Sequence, residues 1–228
     1  KIKNINLQRY IFLHNHSFKK ILKVNKKKLF NNKKINSLIN NNKIKSSWVS
    51  VIPKDYNNLW KKFSKKFYLC INKDSDYMKK RYLKNPFIKY SFLKIENLNK
   101  KLIGFSVVRF QTQKNIIFAR IIEFISTNNN EINVWNEILY RNSQYGASLS
   151  DFFVVGNNQN QNLKKIGFNK MTKYNIYYNI PNLLSPLNYR HWTDNFHLGG
   201  QMINKNDQKN LENIWFTKGD GDRDHPTN

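Results

Sequence analysis

Two hydrophobic periods divide the chain. Alternating or continuous apolar runs of strand length fall at 48–52, 90–95, 102–110, 118–125, 150–155 and 174–180. Between them lie helix-spaced patterns. Leu59, Trp60 and Phe63 share one face of a helix expected from Tyr56 to about Phe67, with Asp55 as its N-cap. Asp74 and Ser75 cap a second helix over 76–82, which Asn85-Pro86 stops because a residue before proline avoids helical angles. Ile132, Trp135, Ile138 and Leu139 mark an amphipathic helix over 131–143, capped from Asn128–Asn130, and a short helix follows over 159–165. The run from Phe118 to Ile125 is dense in Ile and Phe, which predicts a central strand buried on both faces.

The resulting order is β-α-α-β-β-β-α-β-α-β. Tight connections make the early strands antiparallel, and the later strand–helix–strand units require parallel pairing with right-handed crossovers. The fold class is therefore α/β (α+β): a mixed sheet with helices on both faces, occupying 48–184. Residues 1–47 read as a basic N-terminal arm holding one strand, Ile5 to Leu13. Residues 185–228 read as a loop-rich C-terminal tail with one short strand, 213–216.

Composition changes this picture little. The formal charge is +26, and no Asp or Glu precedes Asp55. Such a field attracts polyanions. Yet Lys, Asn, Ile, Phe and Tyr are abundant together while Arg is scarce, which is the signature of A/T-rich codons. A nucleic-acid reader would use more Arg for bidentate contacts. The single cysteine, Cys70, lies in an apolar run, so it reads as a buried thiol and no internal disulfide can form. No apolar run reaches membrane-spanning length, and the default location is cytoplasmic. His14 and His16 lack Cys or carboxylate neighbours, and the alternating Asp220, Asp222 and Asp224 lack the glycine and glutamate of a calcium loop, so no metal site is expected.

The paired N-terminal helices, the strand-turn-strand 93–110, the strand Arg120-Ile121-Ile122-Glu123-Phe124 and the corner Leu163-Lys164-Lys165-Ile166-Gly167-Phe168 resemble the GNAT acetyltransferase superfamily. Two stretches, Asp74 to Pro86 and Trp215 to Asp222, look like a divergent branch associated with bacterial surface-polysaccharide biosynthesis. Members of that branch are often longer, so the resemblance implies that this chain is the C-terminal portion of a larger protein.

The resemblance also implies a chemistry. Acetyl-CoA or another acyl-CoA would lie beside the central strand and at the start of the next helix, with Phe124, Ile125, Ser126, Thr127 and Asn130 as cofactor-binding residues. Helix N-termini suit phosphate because unpaired N–H groups point at it. The family's glycine-containing loop is replaced here by Ser126-Thr127-Asn128-Asn129-Asn130. Glu123 would be the general base that deprotonates an amine before it attacks the thioester; the plainer reading is a strand glutamate facing solvent or paired with Arg109 or Arg120. The family's tyrosine acid is Leu163 in this sequence, leaving Tyr174 or Tyr177 as catalytic candidates, against ordinary strand packing. His191, Trp192 and His197 could line a carbohydrate site, or fold a tail onto the domain. The whole scheme expects Phe118–Ile125 and Ser150–Val155 to splay apart and leave a slot for the thioester.

Three functions follow. The first is an acyl-CoA-dependent N- or O-acyltransferase acting on a small-molecule or carbohydrate acceptor, a nucleotide-linked or lipid-linked sugar. The second is a non-catalytic GNAT-shaped module that supports an upstream catalytic half or binds glycan. The third is an RNA-associated protein of an organellar ribosome, for which the acid-free N-terminal stretch speaks.

Overall fold

The computed structural model describes residues 3–14, 44–113, 116–155, 160–170, 195–198 and 213–220. Among them are ten strands joined in one sheet. In chain order the elements are β1 (Lys3–Leu13), β2 (Ile44–Val49), α1 (Tyr56–Ser64), β3 (Leu69–Cys70), α2 (Ser75–Met78) continued by a π-helical turn (Lys79–Leu83), β4 (Ser91–Asn97), β5 (Leu102–Gln113), β6 (Ile116–Ser126), α3 (Glu131–Gln144), β7 (Ala147–Val155), α4 (Asn160–Ile166), β8 (Asn169–Lys170), β9 (Asn195–Leu198) and β10 (Ile214–Thr217).

The sheet runs β2-β4-β5-β6-β7-β1-β8, with β9 on β1 and β10 bridging β7 and β3. As the patterning requires, β4, β5 and β6 are antiparallel, and β6 and β7, joined through α3, are parallel. Every residue of β6 from Phe118 to Ser126 is buried, as expected of a strand covered on both faces. The sheet extends beyond 48–184. Residues expected in the N-terminal arm enter it as β1, which pairs antiparallel with β7 from Leu7↔Val155 to Leu13↔Leu149, and as the start of β2. The strand expected over 174–180 lies outside the described residues.

Local details depart from the pattern where tertiary contacts compete. The Asp55 side chain makes no capping bond to α1, and Asn130 caps α3 only by position, its amide donating to Thr127 Oγ1 at 2.8 Å. Asp74 is a true cap, accepting from the N–H groups of Asp76 and Tyr77 at 3.1 and 2.9 Å. The second helix widens into a π turn closed by the Lys84 N–H on the Lys79 carbonyl, and Met78 and Tyr82 are both buried along it.

A β-bulge bends the central strand. Pairing with β5 passes from Val107↔Glu123 to Val108↔Ile121, leaving Ile122 as the extra residue. Pairing with β7 ends at the same point, Ile121↔Phe152. Beyond it the two strands diverge. β1 occupies one edge of β7 as far as Val155, so β10, which pairs Phe216↔Val155 and Thr217↔Val154, takes the other edge, the one β6 has left. The expected splay is present, but it is not an empty slot: β10 and the following 3-10 turn, Lys218–Asp220, enter it. Diverging strands expose ladder groups and apolar faces, and in this chain the C-terminal strand covers those of β7.

Candidate active site

Trp215 anchors the inserted strand. Its ring stacks on Phe67, meets Phe63 edge-on, both at 5.0 Å between centroids, and lies near Phe124 and Phe152. Phe124 is itself stacked on Trp135 of α3 at 4.0 Å. With this aromatic cluster in place, Thr217 and the turn residues Gly219 and Asp220 come to rest against Glu123.

Glu123 is fully buried, neither facing solvent nor salt-bridged to Arg109 or Arg120. The Lys73 ammonium, from the segment between β3 and α2, shares its three N–H groups among four acceptors: both Glu123 oxygens at 2.8 and 2.7 Å, Thr217 Oγ1 at 2.9 Å and Asp220 Oδ2 at 2.7 Å. Tyr82 donates to Glu123 Oε1 at 2.5 Å, and the Thr217 hydroxyl donates to Oε2 at 2.9 Å. The Thr217 N–H holds Asp220 Oδ2 at 2.7 Å, and Tyr56 donates to the Lys73 carbonyl at 2.8 Å. Gly219 is obligatory here: a Cβ would sit 2.5 Å from Glu123 Oε1 and run into the Tyr82 hydroxyl.

Two carboxylates thus share one ammonium away from water. Burial raises the Glu123 pKa, Lys73 opposes that rise, Asp220 adds to it, and the net effect is upward. Burial works to deprotonate Lys73, but Glu123 and Asp220 outweigh it and hold its pKa above the ordinary lysine value. Tyr82 is driven well above 10 by burial and by Glu123, so it stays a donor. Asp220 Oδ1 is buried and has no hydrogen-bond partner.

The proposed cofactor residues divide. Phe124, Ile125 and Ser126 have no exposed side chain. Thr127 and Asn130 are half-buried, and the Thr127 N–H is bound to the Ile103 carbonyl at 2.9 Å and the Asn130 N–H to the Thr127 carbonyl at 3.1 Å. Glu131 stands in the first turn of α3, held by Lys66 at 2.6 Å and Asn162 at 2.8 Å. That helix start therefore carries its own carboxylate. The backbone edge of β6 is a different matter: among the described residues no strand pairs with Ile122–Ser126 on the side β7 has left.

Tyr174, Tyr177, His191 and Trp192 lie outside the described residues. His197 is in β9, opposite Asn4 of β1. Sequence reasoning missed Lys73, Tyr82, Thr217 and Asp220 as partners of Glu123. A signal existed: Tyr82 belongs to one of the two stretches that carried the branch resemblance, Thr217 and Asp220 to the other, and Glu123 is where those stretches meet.

The yeast N-myristoyltransferase of Saccharomyces cerevisiae, solved with bound myristoyl-CoA and inhibitors, superposes with a TM-score of 0.52 at 7% identity over 72% of this chain and 46% of that one. The chain has a GNAT-like fold. A functionally unknown conserved protein from Staphylococcus epidermidis matches this GNAT-like chain at 12% identity and a TM-score of 0.47, over 75% of this chain and 59% of that one. An aminoglycoside acetyltransferase from an uncultured soil metagenomic sample, in complex with trehalose, matches at 15% identity and a TM-score of 0.33, over 47% and 74%. The chain spans between 46% and 59% of the length of the first two. No family model and no curated protein matches it. Among the described residues, no helix is long and apolar enough to cross a membrane.

Proposed function

We propose that the chain is an acyl-CoA-dependent N- or O-acyltransferase acting on a sugar precursor of surface-polysaccharide biosynthesis. The observation that carries this reading is the β6 edge at Ile122–Ser126, left without a strand partner among the described residues where β6 and β7 part. An amide-bearing pantetheine arm can pair with such an edge as a strand would. The buried cluster beside it supplies proton chemistry. Asp220 Oδ1, the oxygen without a partner, is buried, so an acceptor amine or hydroxyl would meet it by displacing the packing around the 218–220 turn. As its nitrogen or oxygen bonds to the thioester carbonyl carbon, its proton passes to the Glu123–Asp220 pair, and the C–S bond breaks to release the thiolate. Lys73 balances the charge before and after transfer. Tyr174 or Tyr177 would protonate the thiolate, and His191, Trp192 and His197 would line the acceptor.

A second reading, a non-catalytic GNAT-shaped module, is favoured by one feature: Gly219 fills the space against Ile122 and Glu123 with no room to spare. Calorimetric titration with acetyl-CoA and a long-chain acyl-CoA separates the two. The transferase reading expects saturable binding. No binding at millimolar cofactor would end it for this chain and leave the module.

A further inference from the structure

A basic cleft of ≈510 Å³ runs along α1, from Asp55 before its first turn to Lys65 just past its last, against the β4–β5 turn and the exit of β6. Lys61 and Lys62 line it from α1, Lys65 from the residue that ends that helix, Lys101 from the turn and Thr127 from the residue after β6. Its floor is apolar, formed by Leu59 and Leu102, and Asp55 is its one carboxylate.

Lysines in the last turn of a helix have a local explanation, since they offset the partial negative charge of the helix end. That explanation does not reach Lys101, which comes from a different element and faces the same space. Nor does general lysine richness account for the arrangement: four ammoniums and one carboxylate line a single concavity, and none of the four is in an ion pair within the described structure. The volume falls in the range that encloses one small molecule, which suits a compact anion better than a nucleic-acid duplex.

We infer that this cleft binds the diphosphate group of a nucleotide-type ligand through lysine side chains. The α3 start beside it is poorly suited to that task. Its Thr127 and Asn130 amides are already bonded and its first turn holds Glu131. The cleft's cations sit next to that corner and are uncommitted. Only the source of the diphosphate rests on the transferase reading: it is either the donor coenzyme or a nucleoside-diphosphate-linked acceptor.

The test is binding of inorganic pyrophosphate to the full chain at about 0.15 M salt, where the Debye length of about 8 Å suppresses distant charges. The cleft variant is K62E/K65E/K101E. The control is K80E/K84E/K89E, which makes the same charge change at exposed lysines elsewhere. Because all six positions are exposed, both variants should fold, and circular dichroism confirms it. The expected result is about a tenfold or greater loss of affinity in the cleft variant and less than about twofold in the control. Equal losses would mean that the field of the whole chain does the binding, as for a nucleic acid, and would overturn the inference; so would no binding at all. Displacement of pyrophosphate by coenzyme A or by uridine diphosphate then tells donor from acceptor. Pyrophosphate binding needs no turnover, so its failure is distinguishable from failure of acyl-CoA to bind.

Discussion

Lys73 is the residue on which the buried cluster turns. Replacing it by Met would leave Glu123 and Asp220 facing each other without a cation in a site closed to water. Breaking a buried pair in this way costs about 3–5 kcal/mol, which chemical denaturation would register. The double variant K73M/E123Q should lose less than the sum of its single changes, because the partners are in direct contact; strict additivity would contradict the geometry. Gly219→Ala is a steric probe of the same place. The added methyl has no room beside Glu123 and Tyr82, so a loss of about 1–3 kcal/mol is expected. A third residue reports through pH. His14 accepts from or donates to Ser150 Oγ at 2.6 Å, and burial pushes its pKa from 6.5 down to about 3. The folded chain holds it neutral while the unfolded chain protonates it below 6.5. Its contribution to stability is therefore complete above pH 6.5 and lost as pH falls toward 3, with a slope no steeper than about 1.4 kcal/mol per pH unit. His14→Gln should flatten that part of the profile. An unchanged slope would assign the acid sensitivity to other groups, Asp151 among them: burial would raise its pKa, but Arg9, Arg120 and Lys218 more than offset this and hold it below the ordinary value, so its stabilisation too is lost on acidification.

At the level of elements, β10 carries more than its four residues suggest. Trp215 touches α1 through Phe63, the segment after it through Phe67, β6 through Phe124 and β7 through Phe152. Trp215→Ala removes the ring on which all four converge, and the cost expected for a buried Trp is about 3–5 kcal/mol. A loss below about 1 kcal/mol would mean that the cluster closes up without it. This element also shows why the sequence was only partly readable. The strands β4 to β7 and the helices α1 and α3 announce themselves because their apolar periods run for many residues. Ile214-Trp215-Phe216 is too short to declare a place in a sheet, and nothing local says that it lies beside Val154 and Val155. The bulge at Ile122 is equally silent, since one inserted residue in an apolar strand leaves no period to detect. Glu123 stood out as a carboxylate on an apolar strand. Its partners did not, because Lys73, Tyr82, Thr217 and Asp220 are ordinary residues until long-range pairing assembles them.

On the scale of the whole molecule, β7 is the meeting point of distant parts of the sequence. Across its edges lie β1, from residues 3–13, β6 from the middle, and β10, from residues 214–217. The buried ion pair Arg9–Asp151, at 2.7 Å, ties β1 to β7, while Lys218 approaches the Phe153 ring to 5.0 Å from the other end of the sequence. Such pairing has high contact order, so β7 cannot be fully dressed until both flanking segments have docked. A chain cut after Glu212 tests this. It loses β10, uncovers Phe124 and Phe152, and leaves Lys73 and Glu123 without Thr217 and Asp220. If the sheet is one cooperative unit, the shortened chain should bind a hydrophobic dye, and its β7 and β1 amides should exchange together and much faster than in the full chain. If β10 were an appendage, β1 protection would be untouched and only amides facing the splay would speed up. The first outcome also bears on chemistry, because a segment that stabilises the sheet and supplies Asp220 to the buried carboxylate pair is then part of the site rather than a plug over it.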